Sequence, residues 1–295
     1  MKINKFESGD FKQILYLWNQ VLVDKWPIEK ERLIDRVRNG FNFVAIENNR
    51  IVGFINGQYN GSKGQITLVM VDKNYQRKGV GMELLKVAKE CLHKFGAKEV
   101  FIGCGAGDYF WPGVPTNLPD AISFFKKNGL KVEESNLDMA GNLENYQTPK
   151  EIMERIKDLN LVFTTLKVKE AGGLITFEKT CFPEWTKFFE NAIREEHYEN
   201  IFIVKDSEKI LGSAMLLGEK GFVWSKLLNK AGGFGALGVA ENQRDKGIGL
   251  ALAAKATEVL KDRGVKNSFL GWTYLDKWYG KLGYKVWREY EYGGI

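Results

Sequence analysis

Apolar and polar positions follow the same course twice along this chain. FNFVAIENN and RIVGFINGQY (residues 41–49 and 50–59) are β-rich runs joined by an Asn-rich turn, and IFIVKDSEKILGSAMLLGE (201–219) repeats that hairpin pattern. Helical spacing precedes each hairpin, over Phe11–Val23 and Glu31–Asn39 in the first half and Glu184–Tyr198 in the second. After each hairpin comes a strand, a turn with two glycines, and a helix: ITLVMVDKNYQRKGVGMELLKVAKECL (66–92) and FGALGVAENQRDKGIGLALAAKATEVL (234–260). The spacing places Leu84, Leu85, Ala88, Leu92 and Phe95 on one apolar face of the first helix, and Leu252, Ala253, Ala256, Val259 and Leu260 on that of the second. A further strand (EVFIG, 99–103; NSFLG, 267–271), a short helix and a last strand close each half.

The likeness extends to single residues. Gly79 and Gly81 correspond to Gly247 and Gly249 at an offset of 168, and SFFKKNGLKV (123–132) corresponds to KWYGKLGYKV (277–286) at an offset of 154. The fourteen residues of difference fall in GCGAGDYFWPGVPTNLP (103–119), which reads as a loop inserted in the first half. The architecture expected is therefore α+β and duplicated, each copy a mixed, mostly antiparallel sheet flanked by helices. The domains run over 1–147 and 148–295, and the join lies in NYQTPK (145–150), where Pro149 leads into a helix over EIMERIKDL (151–159).

A chain of 295 residues, 44% of them hydrophobic, has room for two cores of ordinary size, which excludes disorder. The formal net charge of +6 is dispersed rather than gathered into basic runs, so no nucleic-acid partner is expected. Cys91, Cys104 and Cys181 are too few and too scattered for a disulfide framework, and with only His93 and His197 beside them no metal site is expected. The opening MKINKFESGD puts charge where a secretory leader has its apolar core, and no window is apolar enough to span a bilayer. A cytoplasmic protein without a membrane partner is the expectation.

The glycine turns hold the candidate chemistry. In RKGVGM and RDKGIGL a strand delivers the chain to a corner where glycine permits conformations and close approaches closed to other residues, and a helix begins at once. The first N–H groups of that helix have no intrahelical partner and lie at the positive end of its dipole, an arrangement suited to phosphate. Arg77 and Lys78, or Arg244 and Lys246, add charge. Packing between strand and helix is the competing reason for such glycines. A Walker loop is absent, because the only Gly-Lys pair, Gly280-Lys281, is followed by Leu282; FIGCGAGDY fails as a dinucleotide fingerprint, with Asp108 in place of the third glycine.

Given QRKGVG and QRDKGIG, each following a β run that ends in Val71 or Val239 and each answered downstream by an aromatic helix end, the chain resembles the GNAT superfamily of acyl-CoA N-acyltransferases, in tandem. The resemblance implies a sheet whose fourth and fifth strands splay apart around acetyl-CoA as co-substrate. The backbone of Val69, Met70 and Val71 would then pair with the pantetheine arm and Arg77, Lys78, Gly79, Val80, Gly81 and Met82 would cradle the pyrophosphate. The matching positions of the second copy are Leu237, Gly238 and Val239, then Asp245, Lys246, Gly247, Ile248, Gly249 and Leu250. Asp245 stands where a cation would help, so the first copy is expected to bind the cofactor at least as well.

The resemblance also implies that Tyr279 donates a proton to the departing thiolate, a role its counterpart Phe125 cannot play. Packing like that of Phe125 is the alternative for Tyr279. An oxyanion would meet a backbone N–H near Val239. No general base is legible: Glu195, Glu196 and His197 are candidates, with a solvated helix face the simpler reading. The aromatic loop with Tyr109, Phe110 and Trp111 either walls a substrate pocket or packs across a domain interface, Cys104 within it reads as a packed thiol, and the other tryptophans read as core. The expected reaction moves acetyl from acetyl-CoA to an amine of a small molecule or peptide by direct attack in a ternary complex, with chemistry in the second half. The alternatives are catalysis in the first half and a non-catalytic acyl-CoA sensor or scaffold.

Overall fold

A computed structural model describes residues 1–103, 109–207, 209–219 and 222–295. Cys104, Gly105, Gly107 and Asp108 lie outside the described residues. The chain divides into two compact units: Met1–Leu137 with Val223–Leu227 and Arg288–Ile295, and Asp138–Phe222 with Leu228–Trp287.

The first unit begins with β1 (Lys2–Lys5), α1 (Phe11–Val21) and α2 (Lys30–Arg38), continues through β2 (Phe41–Glu47), β3 (Arg50–Asn60) and β4 (Lys63–Val71), and turns into α3 (Val80–Lys94) and β5 (Glu99–Ile102). A short β6 (Val114–Pro115), α4 (Pro119–Lys127) and most of β7 (Lys131–Asn142) follow. Strands β1 to β4 are antiparallel neighbours, and β4 pairs β5 in parallel. The last residues of the chain complete this unit: Gly293 and Gly294 pair Ile102 and Phe101 of β5, and Tyr290 pairs Pro115. Helix α3 lays Leu84, Leu85, Ala88 and Leu92 on the sheet, each at most 3% exposed, whereas Phe95, expected on that face, is 54% exposed past the helix end.

The second unit repeats the order: α5 (Lys150–Glu154), β8 (Leu161–Thr165), α6 (Ala171–Cys181), α7 (Thr186–Arg194), β9 (Ile201–Asp206), β10 (Lys209–Leu217), β11 (Ala231–Val239), α8 (Ile248–Asp262), β12 (Asn267–Thr273), α9 (Asp276–Gly280) and the first three residues of β13 (Lys285–Gly294), whose remainder belongs to the first unit. Strands β8 to β11 are antiparallel neighbours, and β11 pairs β12 in parallel. Helix α8 packs a small-residue face, with Ala251, Ala253, Ala254 and Ala256 fully buried beside Leu252 and Leu260. The helix expected over 151–159 ends after one turn at Glu154, and the one over 184–198 is confined to Thr186–Arg194.

The described part of the inserted loop packs inward within the first unit. Phe110 and Trp111 join Trp18 of α1, Trp26 and Trp224 in a stack with ring centroids 4.6–5.8 Å apart, and all five rings are at most 6% exposed. Trp18 Nε1 donates to the Trp26 carbonyl at 2.8 Å, which fixes the chain after α1. Phe110 and Trp111 thus pack inside one unit, not across a domain interface as one of the two expectations had it. Trp26→Ala is expected to destabilise the protein by about 3–5 kcal/mol, read as a lower denaturation midpoint in guanidinium; a change under about 1 kcal/mol would mean the stack is dispensable.

Candidate active site

Each unit opens its sheet at the same place. Strand β4 pairs β5 only from Lys63 to Ile66, yet it stays paired to β3 as far as Val71. Val69, Met70 and Val71 therefore keep one backbone edge beyond the last parallel pair. In the second unit β11 leaves β12 after Gly233 and continues against β10 to Val239, so Leu237, Gly238 and Val239 hold the matching positions. A bulge accompanies the opening. The β3–β4 register shifts between Asn56 and Gly57, opposite Thr67; the β10–β11 register shifts between Ser213 and Met215, where Ala236 adopts φ +45°.

The two openings are lined differently. In the first unit Thr67 Oγ1 donates to Asn56 Oδ1, and Asn56 Nδ2 donates to Asn42 Oδ1 at 2.8 Å and to the Asn39 carbonyl at 3.0 Å, a polar network that closes around the buried Thr67 and Asn56 and runs out to the surface at Asn39. In the second the strand carries AGGFGALGV, and Gly235, Ala236 and Leu237 remain half-exposed. Phe182 lies across Gly238: a Cβ there would come within 2.3 Å of its ring.

Both glycine corners have the expected form. Gly79 and Gly247 cap α3 and α8 with φ +85° and +89°, preceded by Arg77 and Asp245 at φ +60° and +64°. The corner turns so sharply that the N–H groups of Val80, Gly81 and Met82, and of Ile248, Gly249 and Leu250, come first in helices of fifteen residues and lack an i−4 partner. Nothing lies within 4 Å of a Cβ built on Gly79, so the first corner is open. Its Arg77 pairs with Asp120 of α4 at 3.3 Å on the surface, and Lys78 Nζ sits 5.5 Å from the Tyr75 ring centroid. Asp72, buried, accepts from Asn74 N at 2.9 Å and pairs with Arg50, bracing the approach to the corner.

The second corner carries a cation that sequence reasoning missed. Arg155, at the end of α5, donates through Nη2 to the Asp245 carbonyl, and its Cδ and Nε would lie 2.7 and 3.0 Å from a Cβ on Gly247. A guanidinium from ninety residues upstream thus stands at the place where Asp245 removes a positive charge. Nothing in the sequence spacing signals it. Lys246 Nζ is held by Gln243 Oε1 at 2.8 Å.

Tyr279, on α9, is flanked by Trp278, Phe234 of β11 and Tyr284, with centroids 4.7–6.2 Å away. Burial pushes its phenol up to about 12, so it stays protonated over the whole working range. Phe125, its counterpart, is buried in the first unit's core. Tyr284 is also buried, its hydroxyl tied to Thr257 and Ser268 at 3.0 and 2.7 Å, and that pairing marks it as structural. Glu195, Glu196 and His197 are solvent-exposed at the end of α7, as a solvated helix face requires.

One buried carboxyl was not foreseen. Glu178 of α6 is 0% exposed; Ser213 Oγ of β10 donates to its Oε1, and its Oε2 has no partner. Desolvation, reinforced by the charge of Glu184, raises it from the usual 4.5 to about 7.

A model of the "Acetyltransferase (GNAT) family" matches residues 11–110 and 171–284. The chain belongs to the GNAT family, in tandem. Over its whole length the GNAT chain superposes on a solved structure described as a GCN5-related glucosamine N-acetyltransferase region of a fungal multi-domain GH3 beta-N-acetylglucosaminidase, with TM-score 0.93 and 28% identity. It spans 38% of that protein. A GCN5-related N-acetyltransferase from Sphaerobacter thermophilus (TM-score 0.75, 14% identity, all of this chain and 95% of that one) and a tandem GNAT protein from the clavulanic acid biosynthesis pathway (TM-score 0.67, 12% identity, all of this chain and 98% of that one) share the fold. No curated protein matches the sequence. Among the described residues no helix is long and apolar enough to cross a membrane.

The titration of Glu178 has a signed consequence for stability. Its folded value lies above its unfolded value, so between pH 4.5 and about 7 the folded state holds the extra proton and this group's contribution falls as pH rises through that window. Replacing it with Gln, which keeps an acceptor for Ser213, is expected to flatten that part of the stability profile and raise the melting temperature at pH 8, measured by scanning calorimetry from pH 4 to 8.

Proposed function

We propose that this GNAT protein is an acetyl-CoA-dependent N-acetyltransferase whose chemistry takes place in the second unit, by direct attack of an acceptor amine on the thioester. The observation that carries the assignment is the pairing, in the second unit alone, of an open strand edge at Gly235–Leu237 with a phenol at Tyr279 on the helix that follows β12. The first unit has a closed Thr67–Asn56 network and Phe125 at the matching places.

The residues present suit a nucleotide thioester. The N–H groups of Ile248, Gly249 and Leu250, with Lys246 and Arg155, would hold the pyrophosphate, and the free edge of Leu237–Val239 would meet the amides of the pantetheine arm. A backbone N–H beyond the Ala236 bulge would receive charge developing on the thioester oxygen, a contribution on the order of 3 kcal/mol when pre-aimed. Tyr279 would supply a hydrogen to the leaving thiolate. With its phenol near 12 against a thiol of about 8.5, it stabilises the thiolate first as a hydrogen-bond donor, and full transfer follows with the aid of a proton released at nitrogen.

For the acceptor, the 28% identity to a region described as a glucosamine N-acetyltransferase favours the primary amine of an amino sugar over a peptide amine. The first corner, open at Gly79 and carrying Arg77 and Lys78, is the candidate for a second, non-catalytic CoA site.

With glucosamine as acceptor and thiol release as the readout, Tyr279→Phe is expected to lower kcat by about 10²-fold while calorimetric CoA binding is unchanged; unchanged turnover would move catalysis away from this unit. Arg155→Ala is expected to raise KM for acetyl-CoA by about tenfold, the loss of one charge-assisted phosphate contact, with kcat little altered. An unchanged KM would show that Arg155 serves only to brace the corner.

A further inference from the structure

Helices α1 and α6 occupy the same place in their units. Each has eleven residues and follows a short 3-10 turn whose third residue returns its carboxylate to a backbone N–H: Asp10 to Glu7 at 2.9 Å, Glu170 to Lys167 at 2.8 Å. The fourth residue of each is fully buried, Ile14 and Leu174. The eighth is Trp18 in α1, part of an aromatic core, and Glu178 in α6. The strand facing them differs in concert. Gly53 pairs Val71, and the next residue is Phe54; Gly212 pairs Val239, and the next is Ser213. A tryptophan and a phenylalanine in one unit are replaced by a hydrogen-bonded carboxyl and hydroxyl in the other.

The pair also lies beside the strand edge where an acceptor amine would react, with both side chains fully buried. Ser213 pairs directly with Gly238, one step from the Ala236 bulge, and the two share a face of the sheet. Phe182, one helical turn beyond Glu178, covers Gly238 on that face. Leu237 and Val239 belong instead to the core on the α8 face, together with Tyr279. The carboxyl and the phenol thus stand on opposite faces of the opened strand, and the thioester edge runs between them.

Resting on the N-acetyltransferase reading, we propose that Glu178 is the proton acceptor for the amine, reached through the Ser213 hydroxyl. With the acceptor seated against Gly238 in place of Phe182, its ammonium passes a proton to Ser213 Oγ as Ser213 passes its own to Glu178 Oε1. The neutral amine forms the C–N bond as the C–S bond breaks, and the second nitrogen proton, released then, balances the one Tyr279 gives the thiolate. The sum is amide, thiol and one proton delivered to water. The groups acting on the carboxyl suit a base of near-neutral strength: Ser213 from β10 and the like charge of Glu184 from the α6–α7 connection, on a helix whose Leu174, one turn back, belongs to an apolar core with Phe189, Ile201 and Ile203. The Oε2 has no hydrogen-bond partner, so the bond from Ser213 at Oε1 is the one that steadies the charged form, and the proton arrives there.

The test combines kinetics with a direct view of the carboxyl. With acetyl-CoA and glucosamine, wild-type kcat/KM is expected to rise with pH through about 7. Glu178→Gln should lose that limb and about 10²-fold in kcat with unchanged KM for acetyl-CoA. Ser213→Ala should lower kcat and shift the limb, and Ser213→Thr, which restores a hydroxyl, should recover part of it. A difference infrared titration, wild type minus Glu178→Gln, should place the carboxyl band's midpoint near 7. Wild-type kcat in Glu178→Gln, a retained limb, or a midpoint below about 5 would each overturn the assignment. Failure of wild type to acetylate glucosamine while binding acetyl-CoA would count against the acceptor class instead, and the infrared midpoint would still decide for or against Glu178.

Discussion

The structure depends on a parallel strand pair that stops early. In each unit the central strand gains its last hydrogen bonds on one side several residues after it has lost its neighbour on the other, at Ile66 in β4 and Gly233 in β11. Unpaired backbone in a sheet is costly unless something else satisfies it. A ligand with its own amides is such a partner, and the corner at the strand's end, with a left-handed glycine and a fifteen-residue helix, offers N–H groups to the same ligand's phosphates. Gap and corner are adjacent because one strand supplies both.

Duplication allowed the two openings to diverge without changing the frame. The first has kept a bare corner while polar closure by Thr67 and Asn56 and aromatic filling by Trp18, Trp26 and Trp111 occupy its interior. The second has exchanged large residues for Gly235, Ala236 and Gly238, and apolar ones for Tyr279, Glu178 and Ser213. It departs from its copy at the positions to which the proposed chemistry is assigned.

Much of this was legible in the sequence. The hairpins, both glycine corners and the helices after them fall where the periodicity placed them, because glycine at a positive φ and a 3.6-residue apolar face are local requirements. The family follows from the same residues. Three features were not legible, each because it depends on contacts distant in sequence. Helix α6 begins AGG and reads as weakly helical, so Glu178 was never placed on a buried face. Arg155 reaches Asp245 across ninety residues. Nothing in the pattern of Arg288–Ile295 announces that it completes the first unit.

The most direct measurement is a crystal structure of the protein with a non-hydrolysable acetyl-CoA analogue bound. The expected result is a pyrophosphate on the amides of Ile248, Gly249 and Leu250, with the thioester at Gly235–Leu237 between Tyr279 and the Ser213–Glu178 pair. An analogue seated only at Gly79–Met82, with the second opening unchanged, would contradict this account of the site.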